Sequence, residues 1–366
     1  MMSDKIENQY FPDYPLHPGE LLYDTLEGRG ISQKSFAEKT GISQKHINLI
    51  TSGKTLISPD TAIKFERVLG IKAYIWNKID AEYRLYRARQ EEVRELKKNI
   101  EWSKKFPLAA LKKKGCFFDE PKTPVECVNA LLVFLGVGSR SGYQNKYEKL
   151  EIQFRESPTF TSQSESVIAW LRIGEIQAEK IETAEYNKKK FLKNLQILRG
   201  LTCEDPKNFE PKMVQLCSEA GVALVFVPEL PKTHISGATF WVNQSKAAII
   251  LSLRHKSDDH FWFSFFHEAG HVYLHSKKGY IVDTKDKTKN EIEKEANSFA
   301  AATLLPTRVY QQFIYNTPRI TEKAILDFSR RINIAPGIVV GRLQNEGRIE
   351  YRWHNGLKRK FILIDS

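Results

Sequence analysis

Apolar residues recur at three- and four-residue intervals over most of this chain, the spacing of amphipathic helices, and run continuously or in alternation over one short stretch of its second half. Leu21, Leu22 and Leu26 follow Pro18-Gly19-Glu20 and stop near Gly28 and Gly30, which predicts a helix opened by proline and closed by glycine. Ser32 then predicts the cap of a short helix through Gln33, Phe36 and Ala37, the last small enough for two helices to cross closely. Gly41 makes a turn, and Ser43 caps a second short helix with Ile47 and Ile50 inward and Gly53 at its end. Ser58-Pro59 opens a further helix through Ile63, Val68 and Leu69. From Tyr83 to Lys105 acids and bases alternate with few apolar residues, as in an exposed helix or connector.

Farther on, Leu131 to Gly136 followed by Gly138 and Gly142 imitates a strand with a dinucleotide-binding loop. Upstream, however, Thr123-Pro124-Val125-Glu126 is a capping box with proline in the first turn, so the apolar run is a helix ending at Gly136. No βαβ pattern follows it. Ser166 to Arg199 predicts continued helix, with Trp170, Leu171, Ile176, Ile181, Phe191, Leu195 and Leu198 in phase. Gly221 to Val227 predicts a strand, and Ile235 to Val242 with Ala247 to Leu253 a hairpin. Asp259 to His275 follows as a helix whose first two turns hold Phe261, Trp262, Phe263, Phe265 and Phe266, the pattern of a helix buried on all sides. Thr321 to Arg331, with Ala324, Ile325 and Phe328 on one face, and a helix opened by Pro336 complete the chain.

These elements define an α+β fold that is mainly α. A helix-turn-helix bundle is expected over residues 14–80, a helical middle over 81–204, a metal domain with a small β-sheet and its motif helix over 205–310, and a helical extension over 311–366. A hydrophobic content of 41% with 27% charged residues suits a folded protein. The net charge of +12 and pI near 9.3 favour a polyanionic partner, nucleic acid or a membrane surface. Met1 to Glu20 lacks an apolar signal core, and the apolar run Ala130 to Val137 is too short to span a bilayer, so a cytoplasmic protein is expected. Cys116, Cys127, Cys203 and Cys217 form no CxxC and read as reduced packing residues.

In a helix-turn-helix the second helix enters the major groove of double-stranded DNA. Ser43, Gln44, Lys45 and Asn48 would then meet base edges, with Gln33, Lys34 and Lys54 near phosphates. Such readers commonly bind paired half-sites of an operator as homodimers. From Ser32-Gln33-Lys34-Ser35-Phe36-Ala37 through Thr40-Gly41-Ile42-Ser43 to Ser52-Gly53-Lys54, this stretch resembles the lambda-repressor-like domains of HigA-type antitoxins.

The chemistry lies in His267-Glu268-Ala269-Gly270-His271, an HExxH. Histidines four apart on a helix project to one side and can both reach one Zn²⁺, with the glutamate beside the open coordination position. His275 sits eight residues past His267, about 12 Å along a helix axis, so a packing or supporting role is expected of it. A third ligand is needed from the next helix. Thr288-x-x-Glu291 is a capping box, leaving Glu293 and Glu295; Glu293 shares a face with Ala296, Asn297 and Ala300 and is preferred, with Asn297 as a possible supporting partner. Gly270, costly in a helix, implies a close backbone approach. Glu268 is the expected proton carrier, and Arg254, His260 and Tyr273 are candidate oxyanion partners. The sheet edge beside the motif helix is where an extended peptide could add as a strand.

Phe261 to His271, with Glu293-x-x-Ala296-Asn297-x-Phe299-Ala300 and Leu304-Leu305-Pro306, resembles the ImmA/IrrE metallopeptidase family, and the likeness extends to Ala169-Trp170-Leu171-Arg172, Ser236-Gly237-Ala238 and Pro336 to Leu343. The resemblance implies a gluzincin-like zinc domain with His267, His271 and Glu293 as ligands. It further implies a cytoplasmic transcriptional regulator with a zinc-dependent endopeptidase that cleaves a regulatory protein or itself. The alternative is a HigA-type antitoxin or autorepressor whose metal domain binds a toxin or other partner, or senses a signal, with little proteolysis.

Overall fold

The computed structural model describes residues 15–147, 163–252, 257–275, 281–282 and 290–361. The chain divides into two compact units, Met1–Asn99 and Ile100–Ser366. Four strands and many helices give the α+β, mainly α, architecture.

The first unit is a bundle of α1 (Pro18–Gly28), α2 (Gln33–Thr40), α3 (Gln44–Thr51), α4 (Pro59–Leu69) and α5 (Ala73–Lys98). Its short helices are fixed locally. The hydroxyls of Ser32, Ser43 and Ser58 each accept an N–H from three residues on, at 3.2 Å. Gly41, at φ +66°, makes the turn from α2 to α3. His17 caps α1 through Nδ1, which accepts from the Gly19 N–H at 2.9 Å, a role outside the usual Ser, Thr, Asp and Asn caps. Leu22, Leu26, Phe36, Ala37, Ile47, Ile50, Phe65, Leu69 and Trp76 form the core. The inner face of α4 is Thr61, Ala62, Phe65 and Leu69, and Ile63 falls outside that stripe and is exposed.

In the second unit, Pro124–Leu135 is a helix with the capping box of Thr123 and Glu126 in place and Gly136 left-handed at its end. The continuous helix expected to reach Arg199 is instead two, Ser164–Lys180 and Lys188–Gly200. The chain between them bonds elsewhere: the Tyr186 N–H donates to Ser245 O at 2.7 Å, the Asn187 N–H to Ala220 O at 3.1 Å, and Asn187 Oδ1 caps the second helix. The apolar phase carried across the break, but these hydrogen bonds drew the backbone out of the helix.

The sheet has β1 (Val222–Phe226), β2 (Gly237–Asn243), β3 (Lys246–Leu251) and β4 (Ile281–Val282) in the order β1-β3-β2-β4. β1 runs parallel to β3; β2 is antiparallel to β3 and to β4. Helices cover both faces. Ile250 presses on Gly174 of the Ser164–Lys180 helix, while Ile249 joins the core around Phe261, Trp262, Phe265 and Phe266.

Those aromatics belong to the HExxH helix, Asp258–Leu274. It is not buried all round, since His260 and Phe263 are exposed. It packs on the Asn290–Leu304 helix and on Pro336–Asn345. The C-terminal segment also straps its N-terminus: the Asp258 N–H donates to Arg359 O at 2.9 Å, Lys358 pairs with Asp259 at 2.6 Å, and the Phe361 ring meets Phe209 and Phe261. All four cysteines are free thiols; Cys217 is buried, whereas Cys203 is exposed rather than packed. Among the described residues no helix is long and apolar enough to cross a membrane.

Candidate metal centre and helix-turn-helix face

His267, His271 and Glu293 are brought together in the interior, their ligand atoms within 4.8 Å of one another. The His267 and His271 Nε2 atoms lie 3.0 Å apart, and Glu293 places its carboxylate 3.1 Å from the first and 3.5 Å from the second. Helix geometry sets this arrangement, because a four-residue step stacks the two imidazoles on one face. Gly270 lets the partner helix approach: a Cβ there would stand 3.1 Å from Phe299 Cδ1 and 3.2 Å from Ala296 Cα. Glu293 is buried on the same side as Ala296 and Ala300, whereas Glu295 is exposed and pairs with His275 at 3.1 Å.

Burial pushes the Glu293 carboxyl up, but the facing imidazoles of His267 and His271 outweigh it and hold the group down at about 2. Burial likewise lowers the His271 pKa, against the pull of Glu293, and favours the neutral ring. Both Glu293 oxygens are buried without a hydrogen-bond donor. Buried acceptors of this kind are normally satisfied. Two imidazoles and one carboxylate are a donor set suited to a divalent cation such as Zn²⁺, which would satisfy those oxygens.

Glu268, 2% exposed, lies on the sheet side of the helix. Thr239 Oγ1 donates to its Oε2 at 2.7 Å, and a Cβ on Gly237 would stand 2.7 Å from its Cγ and Oε1. Residues two apart on a strand share a face, so β2 forms a cradle for this one side chain. The HExxH motif by itself assigns Gly237 and Thr239 no role. The signal that could have found them is a glycine and a hydroxyl at i and i+2 on the strand facing the motif helix. The edge expected to accept a peptide is occupied at Ala238 and Thr239, which pair with Val282 and Ile281 of β4.

Of the remaining candidates, Tyr273 stacks on Phe299 at 5.5 Å with the Lys188 ammonium 4.4 Å over its ring, and His260 is exposed. Arg254 and Thr288 lie outside the described residues. Arg342 is held by Glu346 at 2.6 Å and lies over the Tyr310 ring.

On the first unit, Ser43, Gln44, Lys45 and Asn48 stand exposed around the start of α3, with Ile47 and Ile50 buried behind them. Lys34 and Lys54 are exposed, and Gln33 is half-buried. The Ser43 oxygen already accepts the His46 N–H, which leaves its O–H to donate and one lone pair to accept. The charge is unevenly shared. Residues 1–99 carry 16 Lys and Arg against 14 Asp and Glu, and residues 100–366 hold the other 40 against 30, so most of the surplus is not on the helix-turn-helix unit.

The fold joins a helix-turn-helix unit to a second unit that holds a buried His267, His271 and Glu293 group. Comparison with known families agrees: residues 217–344 match the IrrE N-terminal-like domain, a peptidase family, and residues 22–76 match a helix-turn-helix family. The chain therefore carries an ImmA/IrrE-type domain behind a helix-turn-helix domain. No curated protein matches it. Among solved structures, a putative antidote protein of a plasmid maintenance system from Nostoc punctiforme is 30% identical, covering 23% of this chain and 93% of its own, with a TM-score of 0.23. An addiction module antidote protein of the HigA family from Coxiella burnetii is 24% identical over 23% of this chain and 94% of its own, with a TM-score of 0.22.

Proposed function

We propose that this chain is a cytoplasmic DNA-binding transcriptional regulator whose second unit is a zinc-dependent endopeptidase, cleaving a regulatory protein or the chain itself. The observation that carries the reading is the buried His267, His271 and Glu293 group with both Glu293 oxygens lacking a donor, next to a separately cradled Glu268. His267 and His271 would hold the metal through Nε2 and Glu293 through its carboxylate. When bound, zinc supplies Lewis-acid polarisation of a peptide carbonyl and of the attacking water. Glu268 takes the proton that the water loses and delivers it to the leaving amine nitrogen. Thr239 and Gly237 keep its carboxylate directed while it does so. On the first unit, Ser43, Gln44, Lys45 and Asn48 read base edges of an operator, and Gln33, Lys34 and Lys54 contact phosphates. Binding to paired half-sites makes a homodimer the expected form.

The test is Glu268→Gln, which keeps the ligand set and removes the proton carrier. Bound zinc should stay at wild-type stoichiometry while transcription from the regulated promoter becomes insensitive to the signal. Unchanged output in that variant would overturn the peptidase reading. A second reading has β4 in its favour, since a strand of the chain itself occupies the edge where a peptide would add. In it the protein is a HigA-type antitoxin or autorepressor whose metal domain binds a toxin or other partner, or senses a signal, with little proteolysis. Unchanged output from Glu268→Gln is the result it expects.

A further inference from the structure

His275 lies too far from His267 to share its metal directly, yet it is tied to the centre. It is the C-cap of the HExxH helix, and its backbone N–H donates to His271 O at 3.1 Å. Its ring turns back on the preceding turn, with Nδ1 2.9 Å from His271 Nδ1 and Nε2 3.1 Å from Glu295 Oε2. The His275 side chain is 9% exposed and that of Glu295 64%, so the contacts lead from a buried imidazole to a surface carboxylate.

We infer that His275 and Glu295 are positioning residues that fix the tautomer and ring orientation of His271 and thereby set the affinity of the centre for zinc. The inference rests on the metal-centre reading above. His271 Nε2 faces His267 and Glu293, so it is the metal-binding atom and Nδ1 carries the proton. That N–H needs an acceptor, and His275 Nδ1 is placed to be one. An accepting Nδ1 puts the His275 proton on Nε2, which donates to Glu295. One arrangement of protons thus satisfies both short contacts.

The other histidine ligand is held in a parallel way, because His267 Nδ1 stands 3.0 Å from Asn297 Oδ1. A single helix, Asn290–Leu304, therefore supplies a ligand in Glu293, the orienting acceptor of His267 in Asn297 and, in Glu295, the partner that holds the acceptor of His271, His275. Asn297 is four residues from Glu293 and shares its face. Glu295 is two residues away, about 200° around the helix, and reaches the centre only through His275. Partners that orient a metal-bound imidazole typically change metal affinity ten- to a hundredfold when removed.

The experiment uses the full chain and zinc alone, in competition with a chromophoric chelator. His275→Phe fills the space but cannot accept, and should weaken zinc ten- to a hundredfold. His275→Asn places an amide oxygen about where Nδ1 stood and should recover most of the loss. Glu295→Ala should weaken zinc to a smaller degree. Melting of the metal-free proteins separates positioning from packing: the inference requires His275→Phe to melt close to wild type without zinc. It is overturned if His275→Phe binds zinc as tightly as wild type, or if metal-free stability falls with affinity and asparagine recovers neither. If the wild-type chain takes up no zinc, the metal-centre reading fails, and this inference with it.

Discussion

The two units place their polar groups in opposite ways. The helix-turn-helix unit buries an apolar core and turns its candidate reading residues, Gln44, Lys45 and Asn48, to solvent. The second unit draws two histidines and two glutamates into the interior, all below 10% exposure, and closes aromatic packing around them. A surface site can change without disturbing the fold beneath it. A buried one is part of the fold, because each polar group there must be compensated by a neighbour. Substitutions in the first unit should therefore move binding alone, and those in the second should move metal, chemistry and stability together.

The largest effect is expected from His267→Ala. It removes a ligand and leaves Glu293 facing His271 alone, so zinc measured by metal analysis should fall to a small fraction of the wild-type stoichiometry. Zinc retained at the wild-type level would refute the ligand set. Gly237→Ala comes next, and acts on chemistry without touching a ligand. The added methyl would stand 2.7 Å from the Glu268 side chain, which must move. Loss of a positioned general base costs roughly 10²- to 10⁴-fold in rate. The variant should thus behave as Glu268→Gln does in the transcription readout while binding zinc normally; a wild-type response would show that β2 does not position Glu268.

Legibility in the sequence follows the same division. Ser32, Ser43 and Ser58 were readable as caps because capping is decided within three residues. His267 and His271 were readable because a helix fixes their relation. Glu293 was favoured over Glu295 only by its face, and the structure adds why: Glu295 is taken up by His275. Gly237 and Thr239 lie about thirty residues before the base they cradle, and the strap by Lys358 and Arg359 about a hundred after the helix start it holds. No local rule connects residues so separated. The break after Lys180 was hidden for a related reason, since its hydrogen-bond acceptors, Ser245 and Ala220, come from distant parts of the chain. Net charge misled more directly: it agreed with DNA binding by the whole chain, but most of it belongs to the unit without the helix-turn-helix.

Asp258 tests how deeply the second unit depends on buried charge. Burial pushes its carboxyl up to about 6, against the pull of Arg359. A carboxyl with a raised native pKa holds more protons folded than unfolded between about 3.8 and 6, so stability falls as pH rises through that window. The shift corresponds to on the order of 3 kcal/mol. Asp258→Asn removes the titration. Its stability relative to wild type should rise between pH 4 and pH 6, measured by denaturant unfolding at each pH. A parallel profile for the two proteins would mean that the Asp258 carboxylate is solvated or fully paired.

In the first unit the effects should be smaller and confined to binding. Gln44→Ala should lower affinity for the operator by about 1–3 kcal/mol and relax preference at one base pair, with melting unchanged. A fall in melting temperature alongside would mean that α3 depends on its outer face, contrary to its exposure.

The smallest effect expected is from Lys54→Ala. A lysine on a phosphate contributes about one unit to the slope of log affinity against log salt, and nothing to sequence preference. With 16 basic against 14 acidic residues, the first unit has little general attraction for DNA, so each placed lysine should carry a visible share of the salt dependence. Operator binding titrated from 50 to 300 mM salt should show the slope reduced by about one, with discrimination between operator and unrelated DNA intact. If the slope is unchanged by Lys54→Ala but steep in both proteins, the counterions are released elsewhere. The basic surplus of residues 100–366 would then be the part of the chain that meets the phosphates, and the division of labour between the units would have to be redrawn.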